Sequence, residues 1–71
     1  METMTSEKVV WVSILTQEDE ETGQFRYTVS DSGGALPEAV LDTADQVQKN
    51  CEYREEYYRA LGYKVEGREA Y

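Results

Sequence analysis

The chain has 71 residues, with 15 Asp and Glu against 7 Lys and Arg, and a formal net charge of −8. This length predicts one domain, close to the lower limit for a hydrophobic core that is stable without a metal or a disulfide. A single cysteine excludes an internal disulfide, the lack of histidine removes most catalytic and metal-binding constellations, and the negative charge disfavours nucleic acid and anionic membranes as direct partners.

The start of the chain is polar. We expect residues 1–6 to form a flexible N-terminus and residues 7–71 to form a single domain. The sequence has no signal-like apolar run and no stretch of about 20 apolar residues of the kind that spans a membrane. We therefore expect a cytoplasmic protein.

Two segments rich in β-branched and aromatic residues predict a β-hairpin. Residues 8–17 (KVVWVSILTQ) have the composition of a strand, and residues 24–30 (QFRYTVS) alternate between apolar and polar side chains. The turn between them ends at Gly23, which can adopt a positive φ. The first strand is apolar on both faces, and it is therefore expected at the centre of the sheet.

The predicted turn is strongly acidic. Its candidate partner-binding residues are Glu18, Asp19, Glu20 and Glu21. An EF-hand calcium loop would need a Glu at its twelfth position, which this segment lacks, so we predict no metal site. Two interpretations are open, because an acidic tip either discourages aggregation at a sheet edge or contacts a basic partner.

A helix is predicted after the Gly33-Gly34 break. Pro37 suits its first position and Gly62 its end, which gives a helix of about 25 residues. Six apolar residues share one face at helical spacing: Val40, Ala44, Val47, Cys51, Tyr58 and Leu61. The segment Thr43 to Gln46 matches a capping box, so the helix alternatively starts near Thr43.

Residues 63–66, with an extension at most to Tyr71, predict a third strand. The element order ββαβ then defines an α+β fold. We expect an antiparallel three-stranded sheet in the order 2-1-3, packed on one long helix by a right-handed crossover.

One helix can cover only one face of this sheet. The apolar residues of the first strand divide between its two faces, with Val10, Val12 and Ile14 on one and Val9, Trp11 and Leu15 on the other. The uncovered face has Trp11 or Ile14 near its centre. It is either partly covered by the N-terminal arm or tolerated in solvent, or it packs against a second copy of the chain or a target. Trp11 is therefore a candidate partner-binding residue.

The predicted helix also has an acidic face. Its carboxylates are Glu38, Asp42, Asp45, Glu52 and Glu56. Such faces are commonly solvated, but this one could also imitate a nucleic-acid backbone. Its spacing of about 5 Å per charge is too wide to match the roughly 1.7 Å per charge of duplex DNA. The helix could therefore match a single strand or act together with the acidic turn, and Glu38, Asp42 and Asp45 join the candidate partner-binding residues.

Residues 51–71 combine four basic residues with five of the six tyrosines. Tyr53, Arg54 and Tyr57 are expected on an exposed flank of the helix, whereas Tyr58 points to the core. Tyr and Arg are typical of binding hot spots, although these side chains could instead widen a thin core. We expect truncation of Arg54 to weaken partner binding and to leave the melting temperature nearly unchanged.

Cys51 lies in the apolar stripe near two glutamates, where a thiol is unreactive. With no phosphate-binding loop and no predicted cofactor, we expect a non-enzymatic protein that binds a partner with a basic surface. In size and charge alone it resembles the small inhibitors of phages, of the anti-CRISPR or anti-restriction type, that block nucleic-acid-binding surfaces. The alternative is a structural or regulatory homodimer, or an accessory subunit of a larger complex.

Overall fold

The computed structural model describes residues 8–71, so the expectation for residues 1–6 lies outside the described residues. The described part is a single layer of sheet with one helix packed on it. Its elements in chain order are β1 (Val9–Glu18), β2 (Phe25–Asp31), β3 (Ala39–Leu41), α1 (Ala44–Ala60) and β4 (Lys64–Ala70). The predicted α+β class is confirmed.

The sheet has four strands in the order β3-β2-β1-β4. β2 is antiparallel to both β1 and β3, whereas β4 is parallel to β1. The predicted three-stranded, fully antiparallel sheet is therefore wrong in strand number and in the direction of the last strand. β3 is the physical reason, because it reverses the chain once more before α1, and the strand after the helix then runs in the direction of β1.

The segment from Pro37 to Leu41 is not helical, which corrects the prediction of a helix of about 25 residues. The 17-residue helix α1 begins after Thr43, as the alternative start predicted. The Thr43 hydroxyl accepts a hydrogen bond from the Gln46 amide at 3.1 Å, and Gln46 Oε1 accepts one from the Thr43 amide at 3.3 Å. This reciprocal capping box makes Thr43 the N-cap residue of α1. Gly62, with a φ of 92°, ends it as predicted.

The core lies between α1 and the inner face of β1 and β2. Its buried apolar residues are Val10, Val12, Val29, Val47, Cys51 and Tyr58. Val40 and Leu61 were predicted on the same face but are exposed, because Val40 belongs to β3 and Leu61 is the C-cap beyond the last helical turn. The core is therefore confined to about three turns of α1.

Candidate functional site

A buried ion pair joins α1 to the end of β2. Arg54 Nη1 lies 2.6 Å from Asp31 Oδ2, and its Nε donates to the Asn50 side chain at 2.7 Å. Its Nη2 donates to the carbonyl of Pro37. Arg54 is only 2% exposed, so the expectation that it lies on an exposed contact flank is wrong. Its guanidinium is occupied inside the fold.

Asp31 is the centre of this network. The Tyr58 hydroxyl donates to Asp31 Oδ1 at 2.8 Å and accepts a hydrogen bond from the Ala35 amide at 3.0 Å, while the Gly33 amide also donates to Oδ1 at 2.9 Å. Burial alone would raise the pKa of Asp31, but the hydrogen bonds from Tyr58, Arg54 and the glycine amides outweigh it and lower this pKa. Burial, followed by the bond to Asp31, raises the pKa of Tyr58. The network holds the loop after β2 against the helix.

Gly33 is required by this packing. A Cβ atom at this position would lie 2.3 Å from Cε1 of Tyr58, well inside van der Waals contact. The ring cannot easily give way, because its hydroxyl is held by Asp31 and Ala35. The Gly33-Gly34 pair therefore serves close packing of the loop on the buried tyrosine.

A second ion pair joins α1 to β4. Arg68 Nε and Nη2 bind the two carboxylate oxygens of Glu55 at 2.6 and 3.0 Å, and Arg68 Nη1 donates to Gln48 at 2.9 Å. The hydrogen bond from Arg68 is the main cause of the lowered pKa of Glu55. Both ion pairs therefore connect α1 to the sheet, and the charged ends of their side chains are engaged within the chain.

The acidic turn has a defined structure. The Asp19 side chain accepts hydrogen bonds from the amides of Glu21 at 2.9 Å and Thr22 at 3.4 Å, and its amide donates to the Gln24 carbonyl at 2.8 Å. Gly23 takes a φ of 75° to close the turn. Asp19 therefore builds the turn, while its acidic neighbours project into solvent.

The sheet brings two more carboxylates to the same end of the molecule. β3 ends at Leu41, which pairs with Tyr27, two residues from the pair formed by Phe25 and Glu18. Asp42 and Asp45 follow β3 at this end, about two strand spacings, or roughly 10 Å, from β1. We call this group the acidic end: Glu18, Asp19, Glu20, Glu21, Asp42 and Asp45.

Glu38 is not part of the acidic end. It precedes β3, whose first residue Ala39 pairs with Val29, and Val29 in turn pairs with Ile14. Glu38 therefore lies about five residue steps, or about 16 Å, along the strands from Glu18. The predicted acidic face of the helix is divided accordingly, because Glu38 and Asp42 lie outside α1.

Few cations neutralise the acidic end. Within residues 8–71, its only ion pair is between Asp45 and Lys49, at 3.2 Å, and both side chains are largely exposed. Such an exposed pair is weak. A depression of about 240 Å³ between the strands is lined by Gln17, Glu18, Asp19 and Arg26. The other residues of the acidic end are exposed, and within residues 8–71 none of them forms an ion pair.

The aromatic flank lies further along α1. Tyr53 is 57% exposed, and Tyr57 is half-buried with its ring centre 6.3 Å from that of Tyr53 and 5.3 Å from that of Tyr58. Asp45, Lys49 and Tyr53 are spaced four residues apart, so they form one row on the helix surface. This row makes Tyr53 and Tyr57 continuous with the acidic end.

Trp11 lies on the face of the sheet that α1 does not cover. It is 42% exposed, and its backbone amide and carbonyl both pair with Ser32, each at 3.0 Å. The sheet therefore leaves an indole surface in solvent. This face approaches the acidic end only at Gln17 and Arg26, which line the depression beside Glu18 and Asp19.

The described residues offer few groups for metal or covalent chemistry. Within residues 8–71, no three His, Cys, Asp or Glu side chains are arranged to hold a metal ion. Cys51 is buried, and burial raises the pKa of its thiol, which keeps it protonated at neutral pH. No helix in the described part of the chain is both long and apolar enough to cross a bilayer.

Sequence reasoning missed the role of Asp31, although a signal was present. Val29 faces the core, and residues two apart on a strand share a face, so Asp31 had to face the helix as well. Likewise Val47, Cys51, Arg54 and Tyr58 follow helical core spacing.

No family model, no curated protein and no solved structure matches this chain. Function is therefore inferred from geometry and charge.

Proposed function

We propose that this protein is a small, non-enzymatic binding module whose acidic end occupies a basic surface of a partner protein. When the partner uses that surface to bind nucleic acid, the module acts as an inhibitor. The observation that carries the proposal is the convergence of the turn carboxylates with Asp42 and Asp45, which are distant in sequence, at one end of the molecule.

The clustering of these charges suits a surface that binds a nucleic-acid strand. Residues 18–21 are all acidic, and the turn gathers them at the tip of the hairpin, with Asp42 and Asp45 at the same end of the sheet. A single strand of DNA carries one phosphate per roughly 3.4 Å. Basic side chains arranged for such a strand would therefore meet several carboxylates within a short distance.

The acidic end and the aromatic flank have complementary roles in this proposal. Exposed charges attract the partner over a distance and raise the association rate, but contribute little to the lifetime of the complex. Large aromatic side chains such as Tyr53 contribute to that lifetime, because the ring buries a large area and the hydroxyl group can still form a hydrogen bond. The helix row from Asp45 to Tyr53 connects the two parts.

Affinity capture followed by binding kinetics tests this proposal. The wild-type chain is used to capture partners from a nuclease-treated lysate, and the captured protein is measured against a tip variant in which Glu18, Glu20 and Glu21 are changed to Gln. Asp19 is kept because it builds the turn. We expect the association rate to fall about tenfold or more, because three steering charges are lost.

A matched variant controls for net charge. Glu38→Gln, Glu52→Gln and Glu56→Gln remove three exposed carboxylates away from the acidic end, and we expect a much smaller effect on the association rate. Tyr53→Ala should raise the dissociation rate instead. Equal association rates for the two triple variants would contradict the proposal.

Competition distinguishes the inhibitor from an accessory subunit. An inhibitor that covers a nucleic-acid site is displaced from the captured protein by single-stranded DNA, whereas a subunit docked elsewhere is not. Binding that is indifferent to DNA would therefore favour the accessory subunit over the inhibitor.

A further inference from the structure

The β1–β2 hairpin extends beyond the start of α1, so the helix leaves part of the sheet face on its own side uncovered. The helix begins soon after Leu41, the last residue of β3, which pairs with Tyr27. The pair formed by Glu18 and Phe25 lies two residues, or about 7 Å, further along the hairpin. Strand alternation places Phe25 on the same side as the buried Val29, which is the helix side. Glu18, directly opposite Phe25, lies on that side as well.

The acidic end has an aromatic ring at its centre. Phe25 is 52% exposed, whereas Tyr27, the next residue of β2 on the same face, is half-buried. Because β2 lies between β1 and β3, Phe25 separates Glu18 on one side from Asp42 and Asp45 on the other. An exposed apolar group is therefore flanked on two sides by carboxylates, which favours an occupant that is both cationic and able to cover a ring.

The hydrogen bonds of β1 place the side chains of Glu18 and Phe25 close together. The Ile14 carbonyl and the Thr16 amide both bind the backbone of Tyr71, so they point away from β2. By alternation the backbone groups of Glu18 point away from β2 as well. Glu18 and Phe25 therefore form one of the non-hydrogen-bonded pairs of an antiparallel ladder, whose Cα atoms lie only about 4.5 Å apart. One ligand can reach the carboxylate and the ring together.

Neither group is occupied by a cation from the described part of the chain. Within residues 8–71, the carboxylate of Glu18 forms no ion pair. Over the same residues, the only cation–π contact is that of Lys8 with Tyr63. Arg26 follows Phe25 in the sequence, but strand alternation places its side chain on the other side of the sheet. The ring and the carboxylate are both open to a cation from another molecule.

We propose that Phe25 and Glu18 bind an arginine side chain of the partner, with its guanidinium stacked on the ring and hydrogen-bonded to the carboxylate. This inference rests on the proposed function, because it assigns a central contact within the acidic end. A planar guanidinium stacks on aromatic rings and binds a carboxylate through two parallel N–H bonds, whereas the ammonium group of lysine is a compact point charge. The pair therefore distinguishes arginine from lysine on the basic surface that it meets.

An apolar side chain of the partner is a poorer occupant of this position. It would cover the ring of Phe25, but it would also remove water from the carboxylate of Glu18 without supplying a hydrogen bond or an opposite charge. The guanidinium of arginine supplies both and still covers the ring. The arrangement of one ring beside one carboxylate therefore favours arginine over an apolar anchor.

Two peptides of equal length, one of arginines and one of lysines, test this inference by isothermal titration calorimetry. We expect the wild type to bind the arginine peptide more tightly. Phe25→Leu keeps an apolar side chain but removes the ring, and it should reduce the ratio of the two dissociation constants about two- to fivefold, the effect of one exposed cation–π contact. Trp11→Leu removes an exposed ring on the other side of the sheet and should leave this ratio unchanged. Circular dichroism checks that the variants are folded.

Two single carboxylate variants separate the subsite from the general charge of the turn. Glu18→Gln and Glu20→Gln each remove one exposed carboxylate from the acidic end, so both should weaken binding of both peptides. Only Glu18→Gln should also reduce the ratio of the two dissociation constants. In the double variant of Glu18 and Phe25 this ratio should fall by less than the product of the two single effects, because both groups hold the same guanidinium.

The outcomes distinguish this inference from the function on which it rests. A ratio that neither Phe25→Leu nor Glu18→Gln changes, or that Trp11→Leu or Glu20→Gln lowers equally, would overturn the arginine subsite. The proposed function would then still stand if the tip variant slows association with the captured partner. If Glu18→Gln and Glu20→Gln weaken the binding of neither peptide, the acidic end does not bind cations and both proposals fail.

Discussion

At the scale of single residues, a buried polar network constrains this fold. Arg54 and Asp31 are 3% and 0% exposed at their side chains, and every hydrogen-bonding group around Asp31 finds a partner. A buried ion pair adds little net stability over an apolar pair of similar volume, but loss of one partner leaves an uncompensated charge. In a chain of 71 residues, such a loss is a large fraction of the total stability.

Arg54→Ala should therefore lower the free energy of unfolding by about 3 to 5 kcal/mol. This replaces the expectation from sequence that the change would spare stability. Urea denaturation followed by circular dichroism measures it, with Lys49→Ala as the control. Lys49 lies in an exposed pair on the same helix, whose loss should cost less than about 1 kcal/mol. Equal midpoints for the two variants would show that the Asp31 pair does not form in solution.

At the scale of elements, the two ion pairs fasten different segments to α1. The Asp31 network holds the loop between β2 and β3, and the pair of Glu55 with Arg68 holds β4. Both carboxyl groups have pKa values below their ordinary range, because of the hydrogen bonds that they accept. The unfolded chain therefore binds more protons than the folded chain in mildly acidic solution.

The sign of the pH dependence follows from this difference. A group whose pKa is lowered by folding stabilises the fold fully above its unfolded pKa, which is near 4 for these carboxyls, and loses that contribution as the pH falls through the folded value. We expect the free energy of unfolding to decrease as the pH is lowered below about 5. Urea titrations at a series of pH values measure it.

Glu55→Gln provides the specific check on this pH dependence. The variant should be less stable than the wild type at neutral pH. On acidification its free energy of unfolding should decrease by a smaller amount, because only Asp31 then remains as a carboxyl whose pKa is lowered by folding. Glu56→Gln, at the exposed neighbouring position, should keep the wild-type pH dependence. An identical acid response in all three proteins would rule out Glu55 as a linked group.

The strands and the helix differ in how well the sequence predicted them. β1 and β2 were predicted to within one residue at each end, because alternation and turn residues are local signals, and the capping box at Thr43 located the helix start. β3 was missed, because a strand of three residues is too short to show an alternating pattern and Pro37 favoured a helix instead. The direction of β4 depended on that missed strand.

The candidate site shows the same limit. The carboxylates of the turn are adjacent in sequence and could be grouped at once, whereas Asp42 and Asp45 joined them only through the pairing of β3 with β2. Arg54 was misplaced because its partner, Asp31, lies 23 residues away and no local rule connects them. Most features of the site that the sequence did not predict therefore depend on pairings between distant residues.

At the scale of the whole molecule, charge is distributed unevenly over the surface. The acidic end carries uncompensated carboxylates, whereas the sheet face opposite α1 exposes the apolar side chains of Trp11 and Leu15. The whole chain carries a net charge of −8, so the acidic end adds to a field that already attracts a basic partner.

Salt should therefore weaken binding of the captured partner. Between about 50 and about 500 mM NaCl, screening slows the association, since the attraction to the acidic end is electrostatic. The tip variant, in which Glu18, Glu20 and Glu21 are changed to Gln, should depend less steeply on salt than the wild type, because three of the screened charges are gone. Surface plasmon resonance measures the association rates of both proteins. An association rate that is indifferent to salt, or that depends equally on salt in the two proteins, would mean that the acidic end does not steer binding.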